Sequence, residues 1–115
     1  MESKRQLQVG ELLKRNFSLV LQDHGVNIYK GILVSVTQVK TTPDLSLAKI
    51  YISVYGVQDK ESVVGLLYEH HSFLKSELVK RIRKHVRRIP EIDFYIDDTL
   101  DEMYKIDELL TSIKK

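Results

Sequence analysis

Val9, Leu12, Leu13, Phe17, Val20 and Leu21 recur at the spacing of one helical face. They predict a helix over roughly 6–22, with Asp23-His24-Gly25 expected to end it. Ile32, Val34 and Val36 then alternate with Leu33, Ser35 and Thr37, predicting a strand over roughly 31–39. Thr41-Thr42-Pro43-Asp44-Leu45-Ser46 reads as a turn, because Pro43 fixes φ and cannot donate to a ladder. A second strand over roughly 48–55 places Ala48, Ile50, Ile52 and Val54 on one face, antiparallel to the first.

The next stretch, roughly 60–86, has two apolar stripes. Val63, Val64 and Leu67 form one; Leu74, Leu78, Ile82 and Val86 form the other. Tyr68-Glu69-His70-His71-Ser72 between them is poor in strong helix formers and predicts a bend. Pro90 is expected to stop the second half. Ile92, Phe94 and Ile96 alternate with Asp93, Tyr95 and Asp97 as a third strand. Thr99-Leu100-Asp101-Glu102 reads as a capping box opening a terminal helix with Leu100, Met103, Ile106, Leu110 and Ile113 on one side. The expected fold is α+β: a two-layer sandwich with a three-stranded sheet, helices on one face and a C-terminal helix. The order helix-strand-strand-helix-bend-helix-strand is the type II KH topology.

A chain of 115 residues with 43% hydrophobic and 30% charged residues fits one domain, 1–115, with a real core. It has no cysteine, which removes disulfides, thiolate metal sites and cysteine nucleophiles and suits a reducing cytoplasm. No segment approaches the roughly 20 apolar residues of a membrane span. The first residues lack the apolar run of a secretory signal.

Net charge is only +2, but it is unevenly placed. Lys75, Lys80, Arg81, Arg83, Lys84, Arg87 and Arg88 fall within fourteen residues that hold one acid, Glu77. Read as helix, this run puts Lys80, Lys84, Arg87 and Arg88 on one side, a pattern suited to phosphates, with arginine also able to stack on bases. The plainer reading is a solvated helix end whose cations favour the C-terminal dipole. His70 and His71 are adjacent, so on a helix they point about 100° apart and do not chelate one ion as i, i+4 histidines do. Asp97, Asp98 and Asp101 could resemble a magnesium site, but a helix cap accounts for them. No catalytic motif appears, so no enzyme activity, cofactor or metal is expected. A KH clamp needs a G-x-x-G loop; 69–74 reads Glu-His-His-Ser-Phe-Leu instead.

Val9-Gly10-Glu11-Leu12-Leu13-Lys14-Arg15, Pro43-Asp44-Leu45-Ser46-Leu47-Ala48-Lys49-Ile50-Tyr51, Arg88-Ile89-Pro90-Glu91-Ile92-Asp93-Phe94 and Asp97-Asp98-Thr99-Leu100 occur in that order. In these, and in Phe73-Leu74-Lys75-Ser76-Glu77-Leu78, the chain resembles bacterial ribosome-binding factor A over almost its whole length. The resemblance implies a KH-like protein whose middle helices meet at an alanine-x-glycine kink, at positions that here hold His70 and Ser72. The family's acidic-proline-arginine segment before the first strand is absent. The implied function is late maturation of the small ribosomal subunit. The factor would bind the free immature subunit and its rRNA, assist processing of the rRNA 5′ end, and matter most in the cold. Assembly GTPases are the implied release partners; a cytoplasmic monomer is expected. Two other readings stay open: a protein-binding module with a basic helix, and a metal-dependent nuclease built on Asp97, Asp98 and Asp101.

Overall fold

The computed structural model describes residues 2–56 and 58–97. The predicted terminal helix, its capping box, Asp98 and Asp101 lie outside the described residues. The elements run α1 (Lys4–Ile28), β1 (Leu33–Thr41), β2 (Leu47–Tyr55), α2 (Lys60–Glu69), α3 (His71–Ile82) and β3 (Glu91–Ile96). The sheet order is β1-β2-β3, with β1 antiparallel and β3 parallel to the central strand. α1 packs on β1 and against α3, and α2 packs on β3.

α1 opens with a capping box. Ser3 Oγ accepts from Gln6 N–H at 3.2 Å, and Gln6 Oε1 accepts from Ser3 N–H at 2.8 Å. The Gln6 amide then donates to the Thr41 carbonyl at 2.8 Å, tying the start of α1 to the end of β1. The helix does not stop at Gly25 as the sequence suggested; it runs to Ile28, and Tyr29 N–H donates to Gly25 O. Gly25 serves a packing purpose instead: a Cβ there would overlap the buried Tyr29 phenol.

Ala48, Ile50, Ile52 and Val54 are all buried, as are Ile92 and Phe94 beside them in register. They meet Leu13 and Phe17 of α1, Val63 and Leu67 of α2, and Leu74, Leu78 and Ile82 of α3 in one core. In β1 a bulge between Val36 and Gln38 resets the pleat. Val34 and Val36 face the core before it, and Val39 and Thr41 after it.

The bend falls at His70, which separates α2 from α3 with φ −104° and ψ 16°. Its ring Nδ1–H donates back to the Leu66 carbonyl at 3.0 Å, stapling the end of α2. Ser72 is the second residue of α3. The expected continuation of helix to Val86, stopped by Pro90, is incorrect: α3 ends at Ile82. Arg83 to His85 form a turn closed by His85 N–H to Ile82 O at 2.8 Å. In a continued helix Lys80, Arg83, Lys84, Arg87 and Arg88 would stack like charges at i, i+3 and i, i+4 spacing, which is unfavourable. Val86 is nevertheless buried, so the turn satisfies the same apolar position by another route.

Candidate nucleic-acid interface

The seven predicted cations divide into two groups. Lys75, Lys80 and Arg81 lie on α3 and each meets a carboxylate. Lys75 Nζ is 3.0 Å from Glu91, Lys80 Nζ is 3.1 Å from Glu77, and Arg81 is 3.0 Å from Asp23 at the far end of α1. The hydrogen bond from Lys80 holds the Glu77 carboxyl below the ordinary range, and that from Lys75 does the same to Glu91. Arg83, Lys84, Arg87 and Arg88 follow the helix, are exposed, and have no carboxylate partner among the described residues. The helical array of Lys80, Lys84, Arg87 and Arg88 therefore does not exist: only Lys80 is helical. The cations are instead displayed at the C-terminal end of α3 and along the turn into β3, where the helix dipole favours positive charge.

The two histidines support the frame. His71 Nε2 is 3.0 Å from the Ile92 carbonyl and 3.3 Å from Glu91 Oε1; both neighbours accept, so Nε2 carries the proton. Tyr68 accepts from Phe94 N–H at 3.0 Å. Their rings stack at 6.1 Å and both meet Phe94 edge-on. Together they occupy polar groups along the outer edge of β3, an edge that would otherwise offer itself to another strand. Across α1 and α3, His24 packs edge-on against Phe73 and lies 3.6 Å from Glu77. No three metal-binding side chains converge among the described residues. Asp97 accepts from the Thr37 hydroxyl.

Sequence reasoning missed the Thr42–Ser46 loop as a chemical feature. Asp44 Oδ1 accepts from Thr42 Oγ1 at 2.8 Å, Ser46 Oγ at 2.7 Å and Ser46 N–H at 3.1 Å. The Ser46 and Thr42 hydroxyls and the Ser46 amide hold its pKa down to about 2. Leu45 beside it has φ +60°, a left-handed conformation uncommon for a side chain of this kind. The signal was the Thr-x-Asp-x-Ser spacing, which allows a carboxylate to gather its neighbours' donors.

The class is thus a KH-like α+β domain whose middle helix pair is interrupted at His70 with no G-x-x-G clamp, and which carries a cationic turn after α3. The ribosome-binding factor A family model matches residues 5–110, so the chain belongs to that family. It is 36% identical over 113 residues to ribosome-binding factor A of Cytophaga hutchinsonii, covering 98% of this chain and 85% of the relative. It is 37% identical over 114 residues to that of Christiangramia forsetii, with the same shares covered. The fold matches the crystal structure of Thermus thermophilus ribosome-binding factor A with a TM-score of 0.67 at 21% identity, covering 79% of this chain and 94% of the other. A homology model of the Thermus thermophilus factor, fitted into a cryo-EM map of a 30S complex, matches with a TM-score of 0.61 at 22% identity, covering 76% and 90%.

Proposed function

We propose that residues 1–115 form one ribosome-binding domain that docks on the free, immature small ribosomal subunit and favours one conformation of its rRNA during 5′-end processing. The observation that carries this is the cationic turn Arg83, Lys84, Arg87 and Arg88, without carboxylate partners among the described residues, in a chain whose family includes a factor placed in a 30S complex. Lys75, Lys80 and Arg81 would contribute less, because RNA must first draw them from their carboxylates. The His70 interruption, with Ser72 following, orients α3 and so aims the turn. The work is differential binding: a factor that prefers one rRNA state raises its population without a catalytic residue or cofactor. Its setting is the cytoplasm, its working form a monomer, and its need greatest in the cold, when rRNA leaves misfolded states slowly. Release follows when a competing state, such as one driven by assembly GTPases, no longer offers the site.

Sedimentation of a lysate on a sucrose gradient tests the reading. The protein should travel with free small subunits and be depleted from whole ribosomes and polysomes. An even spread over all ribosomal fractions would exclude a maturation role.

A further inference from the structure

Between the start of α1, the Thr42–Ser46 loop and the turn after α3 lies a recess of about 130 Å³ lined by Arg5, Val9, Asp44, Leu45, Val86, Arg87 and Arg88. Its floor is apolar: Val9 and Val86 are buried, and Leu45 packs against the core. Its rim carries three guanidinium groups and one carboxylate, yet no ion pair forms among them. The three hydrogen bonds to Asp44 all reach Oδ1, which leaves Oδ2 as an acceptor. Leu45 holds its left-handed backbone at this spot, a conformation that costs about 1–3 kcal/mol and persists where the surroundings impose it, often at binding sites.

We propose that this recess binds a single pyrimidine base, with cytosine preferred, unstacked from a single-stranded stretch of RNA. The proposal rests on the RNA-binding reading above and adds the class of nucleotide. Size comes first. A closed cavity of roughly 150 Å³ admits a benzene-sized ring, so a recess of about 130 Å³ that opens to solvent suits one six-membered ring better than a fused purine. Val9, Leu45 and Val86 supply apolar contact to the ring faces, and arginine planes can stack on a base or hold its flanking phosphates. Polarity decides between the pyrimidines. A carboxylate accepts from the cytosine N4 amino group, whereas uracil presents its O4 acceptor there. Splaying one base out of a single strand is a common way for proteins to read RNA sequence.

The test uses the full chain and fluorescein-labelled RNA heptamers of adenosine with cytidine, uridine or an abasic site at the centre, read by anisotropy at fixed salt. The cytidine heptamer should bind about fivefold or more tighter than the abasic one, the lower end for losing one stacked base. It should exceed uridine by about fivefold or more, the discrimination of a polar contact to a base edge. Asp44→Asn keeps an Oδ1 acceptor for Ser46 and Thr42 but puts an amide donor in place of Oδ2. It should reverse the order, so that uridine binds better than cytidine. Equal binding of cytidine and abasic heptamers, or no binding of either, overturns the proposal; so does retention of cytidine preference in a folded Asp44→Asn protein. If that variant fails to fold, the wild-type comparison decides alone. Co-sedimentation with subunits but no base preference defeats the recess and spares the proposed function. Base preference without co-sedimentation does the opposite.

Discussion

Gly10 sits where α1 comes closest to the sheet: a Cβ at this position would lie 2.8 Å from the Val39 carbonyl oxygen, which is backbone and cannot rotate away. Alanine is normally the better helix former by about 1 kcal/mol. Here Gly10→Ala should instead lower stability, by about 1–3 kcal/mol as for other overpacked sites, in a urea titration. Asp44 gives a residue-scale prediction of a different kind. Its folded pKa of about 2 lies below the ordinary value of 3.8, so its contribution is present above about pH 3.8 and is lost as pH falls through about 2. Because the side chain is exposed, the effect should be shallow. The gap in melting temperature between wild type and Asp44→Asn should narrow across that window, and a constant gap would show that the Thr42–Ser46 hydrogen bonds do not depend on the charge.

At the level of elements, α2 and α3 differ in what they tolerate. Gly65 is exposed in the middle of α2 with open space around it, so Gly65→Ala should gain about 0.8–1 kcal/mol. Ile82 closes α3 in the core with no exposed surface, and Ile82→Ala should lose about 2–5 kcal/mol. Chemical denaturation measures both, and unchanged stability in the Ile82 variant would mean that α3 presents another face to the sheet. The periodicity that located these elements was a direct record of burial: Ala48, Ile50, Ile52 and Val54 alternate because one side of β2 meets helices. The end of α3 left no such record, since Ile82 and Val86 satisfy helical spacing whether or not the chain is helical between them. The ion pairs were equally hidden. Arg81 and Asp23 are distant in sequence, and only the packing of α3 on α1 brings them to 3.0 Å. The candidate site was therefore legible as composition, and its division, among the described residues, into cations with and without carboxylate partners was not.

For the whole molecule, that division sets the salt response. On the proposed function, four phosphate contacts by Arg83, Lys84, Arg87 and Arg88 would give a slope of log K against log salt of roughly −2.8 to −3.6, at about −0.7 to −0.9 per contact. Replacing Lys84, Arg87 and Arg88 together by glutamine should flatten the slope by about two to three units and leave the melting temperature nearly unchanged, because exposed charges add little to folding. Binding to small subunits at several salt concentrations checks it, and an unaltered slope in the folded variant would place the rRNA on another surface. The parallel pairing of β3 with β2 has a consequence in time. β1 and β2 are joined by a short loop and can zip together early, whereas β3 reaches Leu47 to Ile52 only after both middle helices have been laid down. Contacts that close the longer loop carry the larger entropic penalty and slow the reaction. The cationic turn is anchored by α3 on one side and β3 on the other, so it takes its shape only when β3 joins the sheet. On the proposed function, a nascent chain that has built only α1 and its hairpin has no organised turn to offer RNA until β3 is in place.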